Sequence, residues 1–161
     1  MTRLRQLAAD LGMADPQTYV QSGNLVFETD LDEPEVVHGL ADALRSEFGF
    51  EVQVISRSAE EMSAIASSHP FSELGLEDRL LQVAFLDRSP DGEVRELIDA
   101  EEFAPDRLEG NGREVYLAYP GGSARSKLGH ALLESRLGVS VTLRNWRTVK
   151  KLAEMTASRV G

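Results

Sequence analysis

The sequence predicts an α+β fold, a tandem duplication of ferredoxin-like β-α-β-β-α-β halves in which the first half lacks its opening strand. Three observations carry this expectation. Residues 43–62 and 132–151 resemble each other under one offset of 89 residues, which sets Leu44 on Leu133, Gly49 on Gly138, Val52 on Val141 and Val54 on Leu143. The same offset carries Val26 onto Val115 and Phe27 onto Tyr116, and a fixed-offset match signals one supersecondary unit used twice. The third observation is arithmetic. The strand that opens the second half, residues 80–86, maps by that offset to positions before Met1. The boundaries that follow are 1–68 for the first half, 69–79 for a connector and 80–161 for the second half with an added terminal helix.

Each element has its own local reason. Leu4, Leu7, Ala8 and Leu11 recur at helical spacing, with Gly12 as the stop. Residues 18–21 and 25–29 read as strands about the turn Ser22-Gly23-Asn24. Asp32 before Pro34 opens a helix that runs to Phe48, where Gly49 ends it. Phe50, Val52 and Val54 alternate, as a half-buried strand requires. Ser58 and Glu61 have the spacing of a capping box, starting a short helix to Ser67.

In the second half, residues 80–86 form a strongly apolar strand and Ser89-Pro90 opens a helix expected to reach Glu102. Residues 107–109 and 113–119 form a hairpin about Gly110-Asn111-Gly112. A helix is expected over 123–137, then a strand over 139–144 and a final helix from Asn145. This order is the split βαβ arrangement. With its central first strand absent, half one would hold unpaired strand edges, which invite a homodimer through the exposed sheet edge.

Composition narrows the functional classes. The 161 residues are 42% hydrophobic and 27% charged, ordinary for a globular chain of one or two small domains. Without cysteine there is no disulfide, thiol catalysis or thiolate metal site, and neither an apolar secretory core nor a membrane-length apolar run appears. These features suit the cytoplasm, with no membrane partner. Charge is uneven: residues 1–121 carry 9 Lys+Arg against 25 Asp+Glu, and residues 122–161 carry 8 against 2. The acidic body opposes general binding to nucleic acid, while the basic tail leaves room for a local anion site.

The candidate site follows from topology. The second helix of a split βαβ unit starts at the sheet end where the fourth strand finishes. Gly121, Gly122, Ser123, Arg125, Ser126 and Lys127 are therefore expected beside Arg144, Asn145, Trp146 and Arg147. Two helix N-termini and several basic side chains suit a phosphate or carboxylate. A purely architectural reading competes: Ser123 and Asn145 as helix caps, Trp146 as a core anchor, the charges solvated. Gln21, Ser22 and Asn24 form a secondary candidate at a hairpin tip, where the same residues also serve as a turn. His38, His69 and His130 lack zinc-ligand spacing and no G-x-S-x-G nucleophile occurs, so neither a metal nor a cofactor is expected.

The segment Thr18-Tyr19-Val20-Gln21-Ser22-Gly23-Asn24-Leu25-Val26-Phe27 resembles the bacterial family named domain of unknown function 1697. So do residues 112–117 with Tyr119-Pro120, then Arg125-Ser126-Lys127-Leu128, and residues 143–149 with Lys151-Leu152. Members of that family usually begin with an extra strand and a glycine-rich loop, which this sequence does not contain. Where members often carry Thr after the Lys-Leu pair, Gly129 stands here. The resemblance implies the fold but no activity. Three functions compete: a regulatory domain binding a small-molecule, phosphate or nucleotide anion; an enzyme on a phosphorylated or acyl substrate; and a protein- or RNA-interaction module. The lack of a nucleophile–base pair favours the first.

Overall fold

The structure is a computed structural model describing residues 2–19 and 23–159. It is an α+β chain with two antiparallel sheets, divided into two compact units: residues 1–63 with 152–161, and residues 64–151. This division differs from the sequence boundaries by grouping the end of the chain with its beginning.

In the first unit, helix α1 (Thr2–Asp10) leads into a hairpin of β1 (Ala14–Tyr19) and β2 (Asn24–Glu28). Helix α2 (Glu33–Phe48) follows, with the expected cap. The Asp32 side chain accepts from the Glu35 N–H at 2.9 Å, Glu35 Oε1 accepts from the Asp32 N–H at 3.3 Å, and Gly49 ends the helix at φ 77°. Helix α3 (Ala59–Ala66) starts on a second capping box between Ser58 and Glu61. Ala8, Met13, Val36 and Leu40 form this unit's small core, with Leu25, Phe27 and Val54 packed on it.

The strand expected over 50–55 does not form: residues 51–57 join no ladder. A strand needs a neighbour for its backbone groups, and the sheet of this unit ends at two strands, β1 and β2. The 89-residue correspondence is also incomplete in register. Val26 and Val115 both lie on second hairpin strands, yet Val115 joins its unit's helix-side core. In β2 it is Leu25 and Phe27, the neighbours of Val26, that face the helices.

The second unit holds β3 (Leu81–Leu86), α4 (Val94–Leu97), β4 (Arg107–Asn111), β5 (Glu114–Ala118), α5 (His130–Leu137), β6 (Val141–Asn145) and the start of α6 (Trp146–Ala157). Its sheet runs β4-β5-β3-β6, antiparallel throughout, with the first strand of the unit in the middle. This is the order of a split βαβ sheet. Ala84, Leu86, Val115, Leu117 and Val141 meet Val94, Ile98, Leu133 and Leu137 in the core on one face.

Two helices are shorter than their sequence suggests. The one expected from Ser89 to Glu102 is a single turn, α4, and a 3-10 turn over Ala100–Phe103. Ile98 adopts extended geometry at φ −133°, and Asp99 starts the new turn by accepting from the Glu101 N–H. The helix expected from Ser123 begins seven residues later, at His130, because the intervening chain is tied into turns.

Candidate functional site

The two expected segments follow strands that point the same way, residues 121–127 after β5 and residues 146–147 after β6. Leu81 pairs with Ala118 and Gln82 with Asn145, so β5 and β6 finish side by side across β3. Two strand spacings separate them, about 10 Å. Arg125, Lys127 and Arg147 are exposed and form no ion pair among the described residues. Asn145 caps α6 as expected, its Oδ1 accepting from the Thr148 N–H at 2.9 Å.

Other members of the set are already engaged. Gly122, at φ 89°, closes a turn by donating its N–H to the Tyr119 carbonyl at 2.9 Å, and Gly121 precedes it. Ser123 caps no helix; its carbonyl accepts from the Ser126 N–H at 3.1 Å. Ser126 Oγ donates to Asp106 Oδ2 at 2.5 Å and accepts from the Leu128 N–H at 3.0 Å. Tyr119 completes this lock, donating from its buried hydroxyl to the Leu128 carbonyl at 2.6 Å. Burial first, then the Asp106 carboxylate, pushes the Tyr119 phenol far above its ordinary range.

Strand alternation sends Arg144 to the face away from α5, in a cross-strand row with Val83, Tyr116 and Glu109. Its guanidinium is half-buried and donates to Thr142 Oγ1 and the Leu143 carbonyl, both at 2.8 Å, and desolvation lowers its pKa. Trp146 is buried, as an anchor would be. Of the hairpin-tip candidates, Asn24 donates from Nδ2 to the Tyr19 carbonyl at 2.9 Å, a turn role, while Gln21 and Ser22 lie outside the described residues.

Sequence reasoning passed over His69. The structure buries it to 2% exposure on that second sheet face, with the rings of Tyr116 and Trp146 edge-on at 5.2 and 5.0 Å. Its one legible signal is the aromatic Phe71 two residues on. Among the described residues no group of His, Asp and Glu could hold a metal ion. No helix there is long and apolar enough to cross a membrane.

The family model described as "Protein of unknown function (DUF1697)" matches residues 1–116. The chain belongs to that family. No curated protein matches this DUF1697 chain. It is similar in structure to a conserved bacterial protein, SP0830 from Streptococcus pneumoniae, with a TM-score of 0.71 at 20% identity over 98% of this chain and 88% of that one. At that identity the likeness speaks for the fold of this DUF1697 member alone.

Proposed function

We propose that the chain is a cytoplasmic binding module rather than a catalyst, and that its second unit takes a phosphate or carboxylate anion at the sheet end carrying Arg125, Lys127 and Arg147. The observation that carries this reading is the charge arrangement. Three exposed cations, with no ion pair among the described residues, lie in the segments that follow β5 and β6, Arg147 in the first turn of the Asn145-capped α6. The catalytic alternative has less support, since Ser126, Tyr119 and His69 spend their polar atoms on structural bonds.

The chain is further read as a tandem duplication whose first half lacks a central strand. Supporting this, the second unit has its opening strand in mid-sheet, and the first has a hairpin and an unpaired segment over 51–57 where the flanking strands would be.

Calorimetric titration with inorganic phosphate and with a nucleoside triphosphate tests the site. Arg125→Ala and Arg147→Ala are each expected to weaken binding at least several-fold, with stability changed by only about 0–1 kcal/mol because exposed charges contribute little to folding. Asn145→Ala, which removes a cap, is expected to cost about 1 kcal/mol whether or not an anion binds. Wild-type binding in both Arg variants, or none in the parent, rejects the reading.

A further inference from the structure

His69 is the one buried imidazole, and its environment is built for the neutral form. Its Nδ1 accepts from the Phe71 N–H at 3.2 Å, so the proton sits on Nε2, which donates to the Gln82 carbonyl at 3.1 Å. Both nitrogens are committed, and the rings of Phe71, Tyr116 and Trp146 wall the imidazole at 5.8, 5.2 and 5.0 Å. A second proton on Nδ1 would turn an acceptor into a donor facing the Phe71 donor. It would also place a charge where 2% of the residue meets water.

The surrounding charges offer little compensation. From β4 the Glu109 carboxylate favours the charged ring electrostatically; from β5 the Tyr116 phenol is neutral, held above its ordinary range by burial. From β6 Arg144 stands on the same sheet face and brings no negative charge. On α6, Lys150 is bound to Asp78 at 2.6 Å. From β3 the ring meets a neutral carbonyl, that of Gln82.

We propose that His69 is an acid-sensitive latch whose protonation releases the connector of residues 67–80 from the second unit's sheet while the sheet itself stays folded. The connector is otherwise lightly held. Its own backbone bonds are local, Ser72 to His69, Leu74 to Phe71, Gly75 to Ser72 and Leu80 to Glu77. Beyond the latch it is tied by the exposed Lys150–Asp78 pair and, at its far end, by the Tyr119 N–H to the Leu80 carbonyl. The ladders of β3 with β5 and β6 involve no group of the connector before Leu81. Burial, the dominant influence, pushes the imidazole below its ordinary range against the opposing pull of the Gln82 carbonyl and Glu109. The open connector therefore takes up the proton more readily than the closed one. Closure is fully favoured above about pH 6.5, the value of a free imidazole, and is lost as pH falls through the lower closed-state value.

Trp146 is the only tryptophan and touches the latch, so its fluorescence reports on it directly. The expected result is a fluorescence transition centred below pH 6.5 with unchanged far-UV circular dichroism, and amide exchange rising over 70–76 but not in β3 or β5. His69→Gln is expected to abolish the transition, whereas His38→Gln and His130→Gln, both at exposed positions, retain it. A transition that coincides with loss of far-UV signal overturns the latch, as does one that survives His69→Gln. Should His69→Gln fail to fold, proton NMR titration of the wild-type imidazole decides. An ordinary pKa for His69, or exchange over 70–76 that does not follow its titration, rejects the proposal.

Discussion

At Gly110 a single hydrogen atom decides whether β4 can lie against α4. A Cβ built there falls 2.7 Å from Val94 Cβ, and Val94 is itself buried on the opposite side by the core. Val94 is stiff at χ1, so it has no rotamer in which to retreat. Gly110→Ala is expected to lower stability by about 1–3 kcal/mol, measured by urea unfolding, as for other overpacked sites. Gly121→Ala, with open space around its Cβ and no positive φ, serves as the neutral control. Tyr119 makes a second residue-scale test. Tyr119→Phe keeps the ring in the core but strands the Leu128 carbonyl, which should cost about 1–3 kcal/mol. A cost near zero would mean that water replaces the hydroxyl and that the 119–128 lock is ornamental.

Among the elements, residues 51–57 and β6 make the sharpest comparison. Both carry alternating apolar residues after a helix that ends in a left-handed glycine, Gly49 at φ 77° and Gly138 at φ 66°. β6 pairs with β3 along its length, from Gln82 with Asn145 to Leu86 with Val141, while residues 51–57 pair with no strand. Amide exchange in native buffer should therefore be slow over 142–144 and fast over 52–56, by orders of magnitude, since unladdered backbone opens at almost no free-energy cost. Equal protection would show a partner strand on the first unit's segment. The sequence could not have distinguished these two. Alternation records which face of a strand is apolar, but pairing depends on a neighbour that the segment does not encode.

Across the molecule, the two units differ in how much apolar surface they can bury. The second unit encloses Leu86, Leu117, Tyr119, Leu128, Leu133 and Val115 almost completely around a central strand. The first rests on Ala8, Met13, Val36 and Leu40, and leaves Phe48 and Phe50 47% and 63% exposed. Buried apolar area scales with stabilisation at roughly 25 cal/mol per Å². The slowest-exchanging amides are accordingly expected in β3 and β5, with α1 and the β1–β2 hairpin opening at lower denaturant. A single uniform protection level through both units would contradict this ranking.

What the sequence determined by itself was local and periodic: the α+β class, the Asp32 cap, the Ser58–Glu61 capping box, the glycine stops, the hairpins and the order of elements in the second half. These are written in spacings of two, three and four residues, within reach of neighbouring side chains. Tertiary structure decided the rest. It shortened the helix before His130, because Asp106, twenty residues upstream, holds Ser126, and the Leu128 carbonyl takes the Tyr119 hydroxyl. It set Arg144 on the sheet face away from α5, because strand register fixes the face on which a side chain stands. And it made a buried keystone of His69, a residue with no motif around it, because its partners Gln82, Tyr116 and Trp146 lie 13 to 77 positions away and meet it only when the sheet closes.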